Sequence, residues 1–200
     1  FDQVKCVIFD FDGTLVDSQR ANYELELVLL KEFNAYISEE EYNDLAGLTY
    51  VQLSDHLVQK FNIPLTAGQY FEKRQKLFFE EYVPNFKETP GALKLLETLT
   101  SNNLKCGIAS ASSPETFECF FIHNPEFKKH ISCVVTCDEL GISKPNPIVY
   151  KECIKRLGCL ENETVIFEDS FVGLIGAKKV CKVCCVLSSD DKEMLKREIA

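Results

Sequence analysis

The chain has 200 residues, 46% apolar and 26% charged, a composition that excludes fibrous or largely disordered architecture and is sufficient for one large domain or a core carrying an insert. Lys and Arg total 22 against 31 Asp and Glu, a net charge of −9 that opposes nucleic-acid backbones and anionic membrane surfaces. Apolar runs such as Val183 to Leu187 fall far short of the ~20 residues of a spanning helix. A soluble chain is therefore expected, with no nucleic-acid or membrane partner. No signal-like segment follows Phe1, and a cytoplasmic location is the default expectation. Ten Cys in 200 residues is too sparse for a disulfide scaffold. Cys6, Cys106, Cys133 and Cys184 lie in apolar runs and read as small buried thiols of a reducing compartment.

In chain order, the first β-rich run is Lys5 to Phe9. About 95 residues without a convincing strand separate it from the next, far more than a crossover needs, so this stretch is expected to hold a helical insert. A helix is expected from Ser18 to about Phe33. Ser38 with Glu41, Thr49 with Gln52 and Thr66 with Gln69 each have capping-box spacing, in which side chains satisfy the orphan amides of a helix start. Four helices are thus expected between Ser18 and Phe86. Pro84 and the turn Thr89-Pro90-Gly91 mark the return, with Pro90 suited to the first turn of a helix reaching about Thr100. The runs Lys105 to Ala109, Cys133 to Thr136, Val165 to Phe167 and Val183 to Leu187 then alternate with helical patterns. Continuous apolar strands alternating with helices predict an α/β fold, a doubly wound, Rossmann-like parallel sheet. Residues 1–17 and 87–200 are assigned to the core and 18–86 to a helical cap.

Chemistry-bearing residues gather where these strands end. Asp10 and Asp12 in Phe9-Asp10-Phe11-Asp12-Gly13 are two apart and share a face in extended chain. Ser110 follows the second strand with backbone amides beside it, that of Ala111 among them. Lys144-Pro145 follows the third, and Glu168-Asp169 ends the fourth. Open α/β sheets bind ligands outside the carboxyl ends of their strands, so one crevice is expected to collect all four. Taken singly, each has a plain reading as a turn, a helix cap or a solvated charge.

In order and spacing, Asp10-Phe11-Asp12-Gly13-Thr14, Ser110, Lys144-Pro145 and Glu168-Asp169 resemble the four motifs of the haloacid dehalogenase-like phosphohydrolases, in the subgroup with a helical cap after the first strand. The resemblance implies an enzyme, a phosphatase that hydrolyses a small phosphorylated metabolite such as a sugar phosphate, polyol phosphate or phosphoglycolate-like compound. It makes Asp10 the nucleophile that forms an aspartyl-phosphate and Asp12 the acid and base that serves the leaving oxygen and then water. Ser110 and Lys144 would hold the phosphoryl oxygens. Four carboxylates against one lysine require a cation before a phosphate dianion can enter, and ligands that are all oxygen point to Mg²⁺. The resemblance assigns it the Asp10 carboxylate, the Asp12 carbonyl and Asp169, with Glu168 supporting or ligating. Thr14 and Asp17 are expected to brace the loop, and a mobile cap to close over substrate.

Candidate specificity contacts in the cap are Arg20 and Asn22 in its first helix, and Leu48, Thr49 and Tyr50 after Gly47. The alternatives are a β-phosphoglucomutase-like phosphosugar mutase and a catalytically idle binding or regulatory member. Mutases of that type carry a His and an Arg where Asn22 and Tyr50 align, which weighs against the first; the complete set Asp10, Asp12, Ser110, Lys144 and Asp169 weighs against the second. Val180-Cys181 replaces the family's Ala-Gly, which would place a Cβ at a left-handed helix terminus. Cys181-x-x-Cys184 lacks the second pair of a zinc site, and His56, His123 and His130 lack ligand spacing. The chain is expected to act as a monomer.

Overall fold

The computed structural model describes residues 3–45 and 48–186; Gly47 and Leu187, named above, lie outside them. Strands β1 (Cys6–Phe9), β2 (Lys105–Ser110), β3 (Ile131–Thr136), β4 (Thr164–Glu168) and β5 (Lys182–Cys185) form one parallel sheet in the order β3-β2-β1-β4-β5. Phe9 pairs with Ile108 on one side and Phe167 on the other, so the order reverses about β1. That reversal is a topological switch point, where two crossovers part and leave a crevice.

Between β1 and β2 come α1 (Ser18–Lys31), α2 (Glu39–Asn43), α3 (Tyr50–Lys60), α4 (Ala67–Leu77) and α5 (Ala92–Ser101). The later helices are α6 (Pro114–His123), α7 (Pro125–His130), α8 (Ile148–Leu157) and α9 (Phe171–Ala177). All of β1 is buried, as expected of a central strand covered on both faces. Cys6 and Ile8 belong to the apolar cluster built with Val149, Cys153 and Leu157 of α8. Phe11, just past β1, meets Phe117 and Phe120 of α6 at ring-centroid separations of 4.8 and 5.0 Å.

The chain divides into two compact units, Ser18–Phe86 and the remainder. In Ser18–Phe86, Thr49 and Thr66 complete reciprocal capping boxes with Gln52 and Gln69, and Ser38 accepts from the Glu41 amide. Leu25, Leu29, Leu30, Ile37, Leu53, Leu57 and Tyr70 form its core. Beyond α4 the chain continues as a π turn over Phe78–Tyr82 and a 3₁₀ turn over Val83–Asn85 that contains Pro84.

Three expectations are corrected. Pro90 does not open α5: Gly91 takes a left-handed φ of 87° and the helix starts at Ala92, because the reversal at Gly91 separates Pro90 from the first turn. Cys181 bears no left-handed strain. The helix ends earlier, with Lys178 right-handed, and the positive-φ residues other than Gly among those described are Asn34, Asn62 and Asn103. Nor is Cys6 a free thiol, for it is disulfide-bonded to Cys159, with Cα atoms 6.5 Å apart. Helix α8 carries the chain back to the amino-terminal rim of the sheet, where the two residues meet.

Candidate active site

The carboxyl rim of the sheet positions the predicted acids. Asp10 leaves β1 with its amide donating to the Phe167 carbonyl at 2.8 Å, so the strand pairing fixes where its side chain emerges. Glu168 is the last residue of β4 and Asp169 the next. A carboxylate oxygen from each of Asp10, Glu168 and Asp169 lies within 4.8 Å of the other two, and all three residues are buried. Lys144, from the loop after β3, donates to Asp10 Oδ1 and Glu168 Oε1, at 2.5 Å each.

Burying like charges together has a cost that appears in the proton affinities. Burial raises the Asp10 carboxyl well above the ordinary range; Lys144 opposes this, while Glu168 and Asp12 add to it. Burial and the charge of Glu168 push Asp169 up to about 6, against a hydrogen bond from Thr14. Burial also works against the Lys144 ammonium, but Asp10 and Glu168 outweigh it, and the lysine holds its proton more tightly than usual. One ammonium among these acids leaves a negative site built only of oxygen. That donor set fits a small hard cation such as Mg²⁺.

Glu168 is the most engaged of the three. Its Oε1 accepts from Lys144 and from the Tyr150 hydroxyl at 3.0 Å, and its Oε2 accepts from the Ser170 amide and hydroxyl, both at 2.9 Å. A Cβ on Gly173 would stand 1.8 Å from Glu168 Oε1, so this carboxylate occupies the space of a missing side chain. Gly173→Ala is therefore expected to destabilise the protein by about 1–3 kcal/mol through overpacking, read as a lower midpoint in urea unfolding; an unchanged midpoint would show that Glu168 can move aside freely.

The remaining core residues frame this cluster. Asp12 is half-buried and its carboxylate accepts from Ser112 Oγ at 2.6 Å, while Ser110 Oγ accepts from the Ser112 amide at 2.9 Å. Ser112 thus ties the loop after β2 to the loop after β1. Ser110 is buried and Ala111 exposed. Thr14 Oγ1 donates to Asp169 Oδ1 at 3.1 Å, and the Asp17 amide donates to the Lys87 carbonyl at 2.9 Å. Sequence reading missed Ser112 and Tyr150. Ser112 could have been found as a second hydroxyl two residues past Ser110; Tyr150 lies inside α8 with no motif to mark it.

The residues named in the helical unit fare differently. Asn22 is buried, donating to the Ser18 carbonyl at 2.8 Å and accepting from Arg74 Nη2 at 2.6 Å. Thr49 is occupied in its capping box. Arg20 is exposed and ion-paired to Glu24, Leu48 is exposed, and the half-exposed Tyr50 ring lies 3.8 Å from the Arg74 guanidinium carbon. Arg74, absent from the sequence reading, donates to Glu26 Oε1 at 2.6 Å, and Tyr70 donates to Glu26 Oε2 at 2.9 Å. Among the described residues no helix is long and apolar enough to cross a membrane.

Known proteins resemble this chain along most of its length. The chain is 25% identical over 173 residues to the bifunctional riboflavin kinase/FMN phosphatase of Arabidopsis thaliana, covering 86% of this chain and 45% of that protein, so it spans less than half the length of that relative. It is 26% identical over 179 residues to a phosphorylated carbohydrates phosphatase of Thermotoga maritima, covering 88% of this chain and 81% of that protein. In structure, a Thermotoga maritima protein proposed as a β-phosphoglucomutase superposes with a TM-score of 0.83 at 23% identity, over 96% of this chain and 91% of that one, a likeness of fold. The model of the haloacid dehalogenase-like hydrolases matches residues 7–186, from the strand that delivers Asp10 to the end of the sheet. With the acids, the lysine and the inserted helices all inside that span, the chain belongs to the haloacid dehalogenase-like hydrolases.

Proposed function

We propose that the protein is a Mg²⁺-dependent phosphomonoesterase that hydrolyses a small phosphorylated metabolite, of the sugar or polyol phosphate class, through an aspartyl-phosphate on Asp10. The observation that carries the reading is the cluster of three buried carboxylates, two of them ion-paired to one lysine, at the switch point of the sheet. Proteins similar along most of this chain are named as phosphatases, which supports the same class.

In this reading an Asp10 oxygen attacks phosphorus as the ester P–O bond breaks, and Asp12 gives its proton to the leaving alkoxide. Water, deprotonated by Asp12, then opens the aspartyl-phosphate and releases inorganic phosphate. The Ser110 hydroxyl, the Ala111 amide and the Lys144 ammonium hold the phosphoryl oxygens. Their fixed positions let them stabilise charge without reorganising. The Asp10 carboxylate, the Asp12 carbonyl and Asp169, with Glu168 in support, would hold Mg²⁺, which when bound supplies the positive charge this acidic site lacks. Thr14 keeps Asp169 oriented, and Ser112 does the same for Asp12. Arg20 and Tyr50, both exposed, are the proposed contributors to specificity; the Asn22 side chain is buried and that of Thr49 is held in its capping box.

Phosphate release from p-nitrophenyl phosphate and a panel of sugar and polyol phosphates tests the proposal. Turnover with Mg²⁺ should fall by at least about a hundredfold on chelation and return when the metal is restored. No metal-dependent turnover across the panel would reject it. Isomerisation of a sugar 1-phosphate primed by a bisphosphate, without net phosphate release, would replace it with a mutase.

A further inference from the structure

Away from the carboxyl rim, β3 and α8 bring two free thiols together. Cys133, half-buried on β3, and Cys153, fully buried on α8, have their sulfurs 3.7 Å apart. Gly107 of β2 pairs with Cys133 in the sheet. A Cβ there would lie 2.7 Å from the Cys153 sulfur and 3.2 Å from that of Cys133, so the absence of a side chain at Gly107 is what admits both sulfurs. Cys153 also donates to the Ile108 carbonyl at 3.6 Å, which holds its thiol in place.

The two thiols are unequal. The hydrogen bond shared with the Cys153 sulfur and the nearby Arg156 guanidinium lower the proton affinity of Cys133, against burial and Glu139. For Cys153 the same bond and its burial act in the opposite direction. A half-buried thiol that ionises more readily, backed by a fully buried partner thiol, is the arrangement in which the first is oxidised and the second resolves it.

We infer that Cys133 and Cys153 are a peroxide-reactive pair that closes to a disulfide and slows turnover. The Cys133 thiolate attacks a peroxide oxygen and the O–O bond breaks, giving a sulfenic acid and, after protonation, water or an alcohol. The Cys153 sulfur then attacks the Cys133 sulfur, the S–O bond breaks, and hydroxide leaves to take up the thiol proton as water. Two thiols are oxidised and one peroxide is reduced. A disulfide requires about 2.05 Å between the sulfurs, well inside the present 3.7 Å, so the sulfurs must move together, and any part of that movement taken up by α8 carries its other side chains along. On α8, Tyr150 lies one turn before Cys153 and donates to Glu168; its ring also faces the Lys144 ammonium at 5.4 Å. Closure of the pair is thus coupled through α8 to the Tyr150 contacts that hold Glu168 and face Lys144.

The effect on turnover rests on the phosphomonoesterase reading, whereas formation of the bond does not. The full chain treated with hydrogen peroxide should lose two hydrogen masses and yield a Cys133–Cys153 cross-linked peptide, distinct from the Cys6–Cys159 one. Turnover should fall about tenfold, as misplacement of positioned groups does, and recover with dithiothreitol. Cys133→Ser and Cys153→Ser should each form no such peptide and keep their turnover under peroxide. No cross-link in the wild-type chain, a cross-link without loss of turnover, or equal loss in both variants would overturn the proposal. A chain with no phosphatase activity would remove the phosphomonoesterase reading, and the peptide map would still decide whether the pair forms.

Discussion

Asp10→Asn is expected to reduce phosphate release by at least about a thousandfold, because it removes the atom proposed to attack phosphorus while keeping the shape of the side chain. The surroundings make this substitution informative. Asp10 is 5% exposed and its amide is fixed by β4, so an amide can occupy the same position and still face Lys144. The change also removes one of three clustered carboxyls, one whose charged form burial already disfavours, and Lys144 keeps its ion pair with Glu168, so any loss of stability should be small beside the loss of rate. Single-turnover kinetics with a fast-leaving ester, run beside urea unfolding, separates the two. A folded Asn variant within tenfold of wild type would end the nucleophile assignment.

The second large effect lies in the helical unit. Arg74→Ala is expected to cost about 3–5 kcal/mol, since it leaves Glu26 charged and buried without its ionic partner. Both side chains are at most 1% exposed, and the guanidinium also binds Asn22 and stacks on Tyr50. Replacing both partners with apolar residues of similar volume, Glu26→Leu with Arg74→Met, should recover most of the loss, because such pairs contribute little net stability once their desolvation is counted. Denaturant unfolding of the wild type, the single variant and the double variant measures the difference. A single variant within about 1 kcal/mol of wild type would show that water or another group takes over the role of Arg74.

The sheet and its rim were legible in the sequence for a physical reason. Buried parallel strands must be apolar throughout, and Cys6–Phe9 and Lys105–Ser110 are short runs followed by polar turns, so both the strand and its functional end can be read from adjacent residues. The capping boxes at Thr49 and Thr66 are local in the same way. What escaped depends on contacts between distant segments. Ser112 meets Asp12 across 100 residues of chain, Arg74 meets Glu26 across 48, and Cys6 meets Cys159 across 153. Nothing beside Arg74 in the sequence separates it from the solvated lysines of the same helix. Helix ends were legible only in part, because the reversals at Asn34, Asn62 and Asn103 rest on left-handed Asn, a weaker signal than Gly.

The way the chain leaves and rejoins the sheet bears on how such a protein can diversify. The Asp17 amide bonds to the Lys87 carbonyl and the Thr89 amide to the Leu15 carbonyl, both at 2.9 Å, and Val16 bridges to Glu88. Exit and re-entry are thus clasped side by side, and the entropic cost of joining them grows only slowly with the length of chain between them. That intervening stretch can therefore be exchanged for a longer, shorter or unrelated one while the strand that presents Asp10 keeps its register.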